Sequence, residues 1–64
     1  MNSRKPQSGD IWQNPRTYHY WIVINVSFDK TRNTDVAECV NITYDNEVCE
    51  FPFMAIKKFW RYAA

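Results

Sequence analysis

The stretch Tyr-His-Tyr-Trp-Ile-Val-Ile-Asn-Val-Ser-Phe, residues 18 to 28, constrains this chain more than any other. It is aromatic or β-branched almost throughout and contains neither Gly nor Pro, a composition that fits a pleated, half-buried surface and predicts one long strand. Its even positions Tyr18, Tyr20, Ile22, Ile24, Val26 and Phe28 are all apolar or aromatic, whereas the odd positions His19, Trp21, Val23, Asn25 and Ser27 are mixed. Side chains alternate across a strand, so the even set is predicted to face the core. Trp21 and Val23 then form an apolar spot on a half-wet opposite face.

A single strand needs partners, and the rest of the 64 residues supplies them. Ile11 and Trp12 seat a short first strand ahead of the turn signal Asn14-Pro15. Residues 29 to 35, Asp-Lys-Thr-Arg-Asn-Thr-Asp, form a charged projecting loop. Beyond it Val36, Val40, Ile42 and Tyr44 share one parity, interrupted at Glu38, and read as a strand facing the core. A turn at Asp45 and Asn46 leads to a third strand over 47–53, which Pro52 ends or confines to an edge. With Ile42 facing Val48, Cys39 and Cys49 stand diagonally. From Met54 the period changes: at about 100° per residue, Ala55, Ile56, Phe59, Trp60, Tyr62 and Ala63 fall on one arc and Lys57, Lys58 and Arg61 on the other. Residues 1–9 read as a loose polar arm and 10–64 as one small domain.

The chain has only one Gly, so tight primed hairpin turns are not expected and loops of roughly three to seven residues are. The expected fold is mostly β: a small SH3-like antiparallel barrel or curled sheet of three to five strands with a short C-terminal helix. A plain α+β sheet with one packed helix is the other solution. The order resembles small SH3-like barrels through Gly9-Asp10-Ile11-Trp12 at the opening, Tyr20-Trp21-Ile22-Val23-Ile24 in the long strand, and Phe53-Met54-Ala55-Ile56-Lys57-Lys58-Phe59 at the close. It looks like the very short orphan proteins that bacteriophages and other mobile elements encode. That resemblance implies a protein that binds and alters a host protein, polymerases and defence enzymes among them.

Catalytic chemistry finds little to work with. A chain this short buries only about 60 % of its surface, so a deep shielded centre is hard to build. His19 is the only histidine and reads as a surface or interface residue rather than a general base. Cys39 and Cys49 read as buried thiols, and with His19 they offer three soft ligands without the spacing of a zinc site. Glu47 and Glu50 straddle Cys49 and read as edge charges that discourage sheet extension. Neither an enzymatic activity nor a cofactor is expected. There is no apolar run of membrane-spanning length, and the start lacks a signal-peptide core, so membrane association is not expected and the cytoplasm is the expected compartment. Asn25 and Asn41 match the glycosylation sequon, a match discounted without a secretion signal.

A net charge of +1 gives no global field for a polyanion, which leaves local patches. The segment Lys57-Lys58-Phe59-Trp60-Arg61-Tyr62 is the obvious one. Placed on a helix, it separates into a cationic face and an aromatic face. Phe59 is expected in the core. The apolar arc, about 160° wide, exceeds what so short a helix buries, which leaves Trp60 or Tyr62 exposed beside Arg61 as an interface anchor. The expected partner-binding residues are therefore Trp60, Arg61 and Tyr62 with Lys57 and Lys58, then Trp21, on a small inhibitor or modulator that docks on a larger host protein. The alternative is a nucleic-acid-binding module in which Lys57, Lys58 and Arg61, extended by Arg4 and Lys5, meet phosphates. Small size also points to obligate partnering or a homodimer.

Overall fold

The computed structural model describes residues 4–64. Its elements run β1 (Ile11–Gln13), β2 (Tyr20–Asp29), β3 (Thr34–Asn41), β4 (Val48–Pro52), α1 (Phe53–Phe59) and β5 (Arg61–Tyr62). All neighbouring strands are antiparallel, in the order β4-β3-β2-β1-β5. The protein is thus mostly β with one short helix near its C-terminal end, and its five-stranded sheet is open, with β4 and β5 as its two edges.

Left-handed residues other than glycine make the corners. Tyr18, Asn33, Asp45 and Asn46 all have positive φ, beside the single Gly9. Asn and Asp tolerate that region because their short polar side chains bond locally. Asp29 Oδ1 accepts the Thr31 N–H at 2.9 Å in the β2–β3 turn. Asn41 Oδ1 accepts the N–H groups of Thr43 and Tyr44 at 3.0 and 2.9 Å at the start of the β3–β4 turn. Asn41 is itself buried, so the acceptor side chain of the second sequon lies inside the fold although Ile42 and Thr43 are exposed.

The parity expected for β2 is corrected by the structure. Trp21 and Val23 are the buried residues of its first half, while Tyr20, Ile24 and Phe28 are 40 %, 44 % and 56 % exposed. A register slip explains the exchange: Val23 pairs with Cys39 but Asn25 pairs with Glu38, so Ile24 is the extra residue of a β-bulge. Before the bulge odd positions face the core; beyond it Val26, opposite Ala37, does. The parity expected for β3 is corrected too. Ala37, Cys39 and Asn41 are buried, whereas Ile42 and Tyr44 are exposed; Val36 of the expected set is buried, at 3 %, though outside the main core cluster. Cys39 and Cys49 are direct cross-strand partners rather than diagonal, and both are free thiols.

One cluster forms the core: Trp12, Trp21, Val23, Ala37, Cys39, Ile56 and Trp60, with Val26, Cys49 and Phe51 packed against it. Ile56 is the residue of α1 that enters it, so the helix lies on this face of the sheet. The segment expected as a loose arm is tied down from Arg4 onward; residues 1–3 lie outside the described residues. Gly9 N–H bonds Val23 O at 2.7 Å and Ser8 Oγ bonds Ile24 O at 3.1 Å. Asp10, 6 % exposed, anchors the turn. It accepts from Arg4 Nη2 at 2.8 Å, from the Gln7 N–H at 2.9 Å and from the Trp12 indole N–H at 3.3 Å.

Candidate functional site: a groove beside the C-terminal helix

The Lys57–Tyr62 stretch does not continue as one helix. After seven residues α1 stops at Phe59, and Trp60 takes an extended conformation (φ −84°, ψ 163°) while its N–H bonds Ile56 O at 3.0 Å. This switch from helix to strand sends consecutive aromatics in different directions. Trp60, expected at the surface, is 8 % exposed and meets Phe51 edge-on at 4.7 Å and Trp21 at 6.3 Å. Phe59, expected in the core, is 64 % exposed. Helical stepping was carried past the end of α1 to Ala63, which misplaced Trp60; Phe59 lies within α1, but the helix turns Ile56 and not Phe59 into the core.

Tyr62 is 41 % exposed, but its ring is engaged twice. It packs edge-on to Trp12 at 5.5 Å, and the Arg4 guanidinium carbon lies 4.4 Å from its ring centre. Arg4 in turn is held by Asp10, so it is a structural cation rather than part of a loose basic patch. Burial alone would push the Asp10 carboxyl up. The bonds from Arg4, Gln7 and Trp12 outweigh that and hold it below the ordinary carboxylate range. Arg61, exposed, pairs with Gln13 across β5 and β1. Lys57 is half-buried and Lys58 exposed, with its ammonium 5.7 Å from the Phe59 ring centre. Lys5 is exposed.

Between α1 and the β1–β2 turn lies an open groove of about 410 Å³ lined by Asn14, Pro15, Arg16, Ala55, Phe59 and Trp60. Asn14 builds the turn side: its N–H bonds His19 O at 2.9 Å, its carbonyl accepts the Tyr18 N–H at 2.8 Å, and its Oδ1 accepts the Arg16 N–H at 2.9 Å. Pro15 therefore faces the helix from a fixed frame. The walls are mainly apolar, and among the described residues lining the groove only Arg16 is charged. Such a lining can seat an apolar side chain and pair a nearby anion. It places no carboxylate, thiol or imidazole on a bound group.

The other predicted residues lie elsewhere. Trp21 is buried against Phe51, with its indole N–H unpartnered, and offers no docking surface. His19 Nδ1 lies 3.0 Å from Asn41 Nδ2 and its ring stacks on Tyr44 at 6.0 Å. Because Asn41 Oδ1 already accepts two N–H groups, its amide nitrogen is the donor and Nδ1 the acceptor. Burial pushes the Cys39 thiol up to about 12, reinforced by Cys49 and Glu38; burial and then Glu47 raise Cys49. Among the described residues no group of three His, Cys, Asp or Glu side chains is placed to hold a metal ion, and no helix is long and apolar enough to cross a membrane. Sequence reasoning missed Pro15, Arg16 and Ala55. Asn14-Pro15 was legible as a turn, but not what the turn would face.

The sequence matches no family model, and no similar curated protein or solved structure was found.

Proposed function

We propose that this chain is a small binding protein that docks on a larger protein through the groove beside α1 and acts by occluding a working surface of that partner. The observation that carries this reading is Phe59, a large aromatic left 64 % exposed on the rim of an apolar groove with Arg16 and Lys58 beside it. Exposed aromatics next to cations are what interface anchors consist of. The outline resemblance to small phage and mobile-element proteins supports a host protein as the partner and inhibition or modulation as the effect. Trp60 and Trp21 support the groove from within the core, while Arg16, Lys57, Lys58 and Arg61 supply register and on-rate.

The test is capture of a partner from candidate host lysate by wild type, Phe59→Ala and Arg16→Glu, each first shown to fold by circular dichroism. The expected result is a captured protein lost with both variants. Capture unchanged by both would overturn the reading. Binding to labelled DNA or RNA that falls steeply between about 50 and 200 mM salt would favour phosphate contacts by the same cations instead.

A further inference from the structure

We infer that the face of the sheet opposite α1 is a second docking surface, and that it takes a basic amphipathic helix of a partner protein. A sheet with one face on the core and one on water alternates apolar and polar residues along each strand. Here the alternation fails. Ile22 points away from the core between the buried Trp21 and Val23, and Val40 does so between the buried Cys39 and Asn41. Strand registers put Ile11 beside Ile22, Ile22 beside Val40, and Val40 beside Val48. These four aliphatic side chains form one unbroken row across four strands. Val48 is 54 % exposed and the other three are half-buried. Ile42, whose N–H bonds Tyr20 O at 2.9 Å, borders the row with Tyr20, at 46 % and 40 % exposure.

The row's length selects the shape of what covers it. Three steps of about 4.8 Å between strands make roughly 14 Å. A helix laid across the strands presents one apolar side chain per turn at about 5.4 Å, so some three turns match the row. The charge beside the row selects the partner's sign. Glu38 and Glu50 are direct cross-strand partners on this face, one pleat along from Val40 and Val48. Like charges directly opposite weaken a sheet. Among the described residues the ion pair to either is Arg32 Nη2 at 4.0 Å from Glu50 Oε1. Lys or Arg on the matching flank of an incoming helix would relieve that repulsion. A second copy brought up by the same face carries the same two carboxylates in place of cations.

The surface is separate from the groove, so the two can fail independently. The probe is a Leu/Lys peptide with one apolar stripe, about 18 residues long so that it can form a helix, against its Leu/Glu counterpart. Each is titrated into the isotope-labelled protein and followed by backbone amide shifts. The expected result is shifts centred on Ile22, Val40, Ile42 and Val48 with the Leu/Lys peptide alone. Glu50→Lys, which turns the like-charge pair into an opposite pair, should weaken that peptide about tenfold without lowering the thermal midpoint, and Phe59→Ala should leave it unchanged. Equal affinity for both peptides, shifts on another face, or no shifts would overturn the proposal. So would a concentration-dependent dimer in sedimentation equilibrium that Val48→Thr abolishes, which would make the occupant a second copy.

Discussion

Replacing Asp10 by Ala removes the acceptor on which Arg4, the Gln7 N–H and the Trp12 indole N–H converge. Trp12 is fully buried, so its indole N–H would be left without water or protein to bond. Hydrogen bonds to charged groups contribute about 1.5–3 kcal/mol, and orphaning a buried donor costs about 1–3 kcal/mol. Gln7 is exposed and its N–H regains water, so most of the loss comes from Trp12 and Arg4's partner together: about 3 kcal/mol. A domain of this size holds roughly 3–10 kcal/mol in all, and 3 kcal/mol lowers its midpoint by about 12–24 °C. Arg4→Ala should cost much less, because its side chain is 38 % exposed and water replaces it. Thermal and urea unfolding followed by tryptophan fluorescence measure both, since Trp12, Trp21 and Trp60 all sit in the core. The carboxyl titrates lower in the folded chain than in the unfolded one. Its contribution is therefore complete above the unfolded value near 4 and is lost as pH falls through the depressed folded value. In Asp10→Asn that acid-side slope should flatten. Equal losses for Asp10→Ala and Arg4→Ala, or an unchanged slope in Asp10→Asn, would refute the reasoning.

The aromatic pair at the end of α1 gives a second comparison: Trp60→Ala should destabilise by about 3–5 kcal/mol as a core truncation, and Phe59→Ala by no more than about 0.5 kcal/mol, read by urea midpoints. Trp21→Phe removes an unpartnered buried N–H, so it should cost less than about 1 kcal/mol despite the smaller ring, whereas a loss near that of an Ala truncation would mean the indole has a partner. With both thiols raised by burial, iodoacetamide at pH 8 should label Cys49 slowly and leave Cys39 unlabelled until the chain is unfolded, as mass spectrometry would show.

The fold class, the strand at residues 18 to 28, the edge role of Pro52 and the turn at Asp45 and Asn46 were legible because each rests on local chemistry. What failed was facing. Apolar residues occupy both faces of β2, so alternation alone assigned the core to Tyr20, Ile22 and Ile24 when Trp21 and Val23 hold it. No local signal marks Ile24 as an extra residue, since a bulge sets two residues against one of the partner strand and so depends on how β3 pairs. At the C-terminal end the periodicity ran on to Ala63, and the pairing of β5 with β1, Tyr62 beside Trp12 and Arg61 beside Gln13, breaks it. A strand of two residues is set by its neighbour and leaves almost no trace in its own sequence. The groove was illegible for the same reason: its two walls are some forty residues apart in the chain and meet only because β1 lies between β2 and β5.

The slip at Ile24 makes β2 two strands out of phase with each other, joined by one residue. Forcing that residue into the ladder, with no change in composition, would turn Val26 toward water and bring Asn25 against the core, whereas deleting it would restore plain alternation with Val26 still opposite Ala37. Substitutions along β2 are lesions of chemistry, felt at one position. A change in length elsewhere on β2 is a lesion of phase, felt at every position out to the hairpin tip, so β2 should accept many residues at most of its sites and no change in their number except the loss of Ile24.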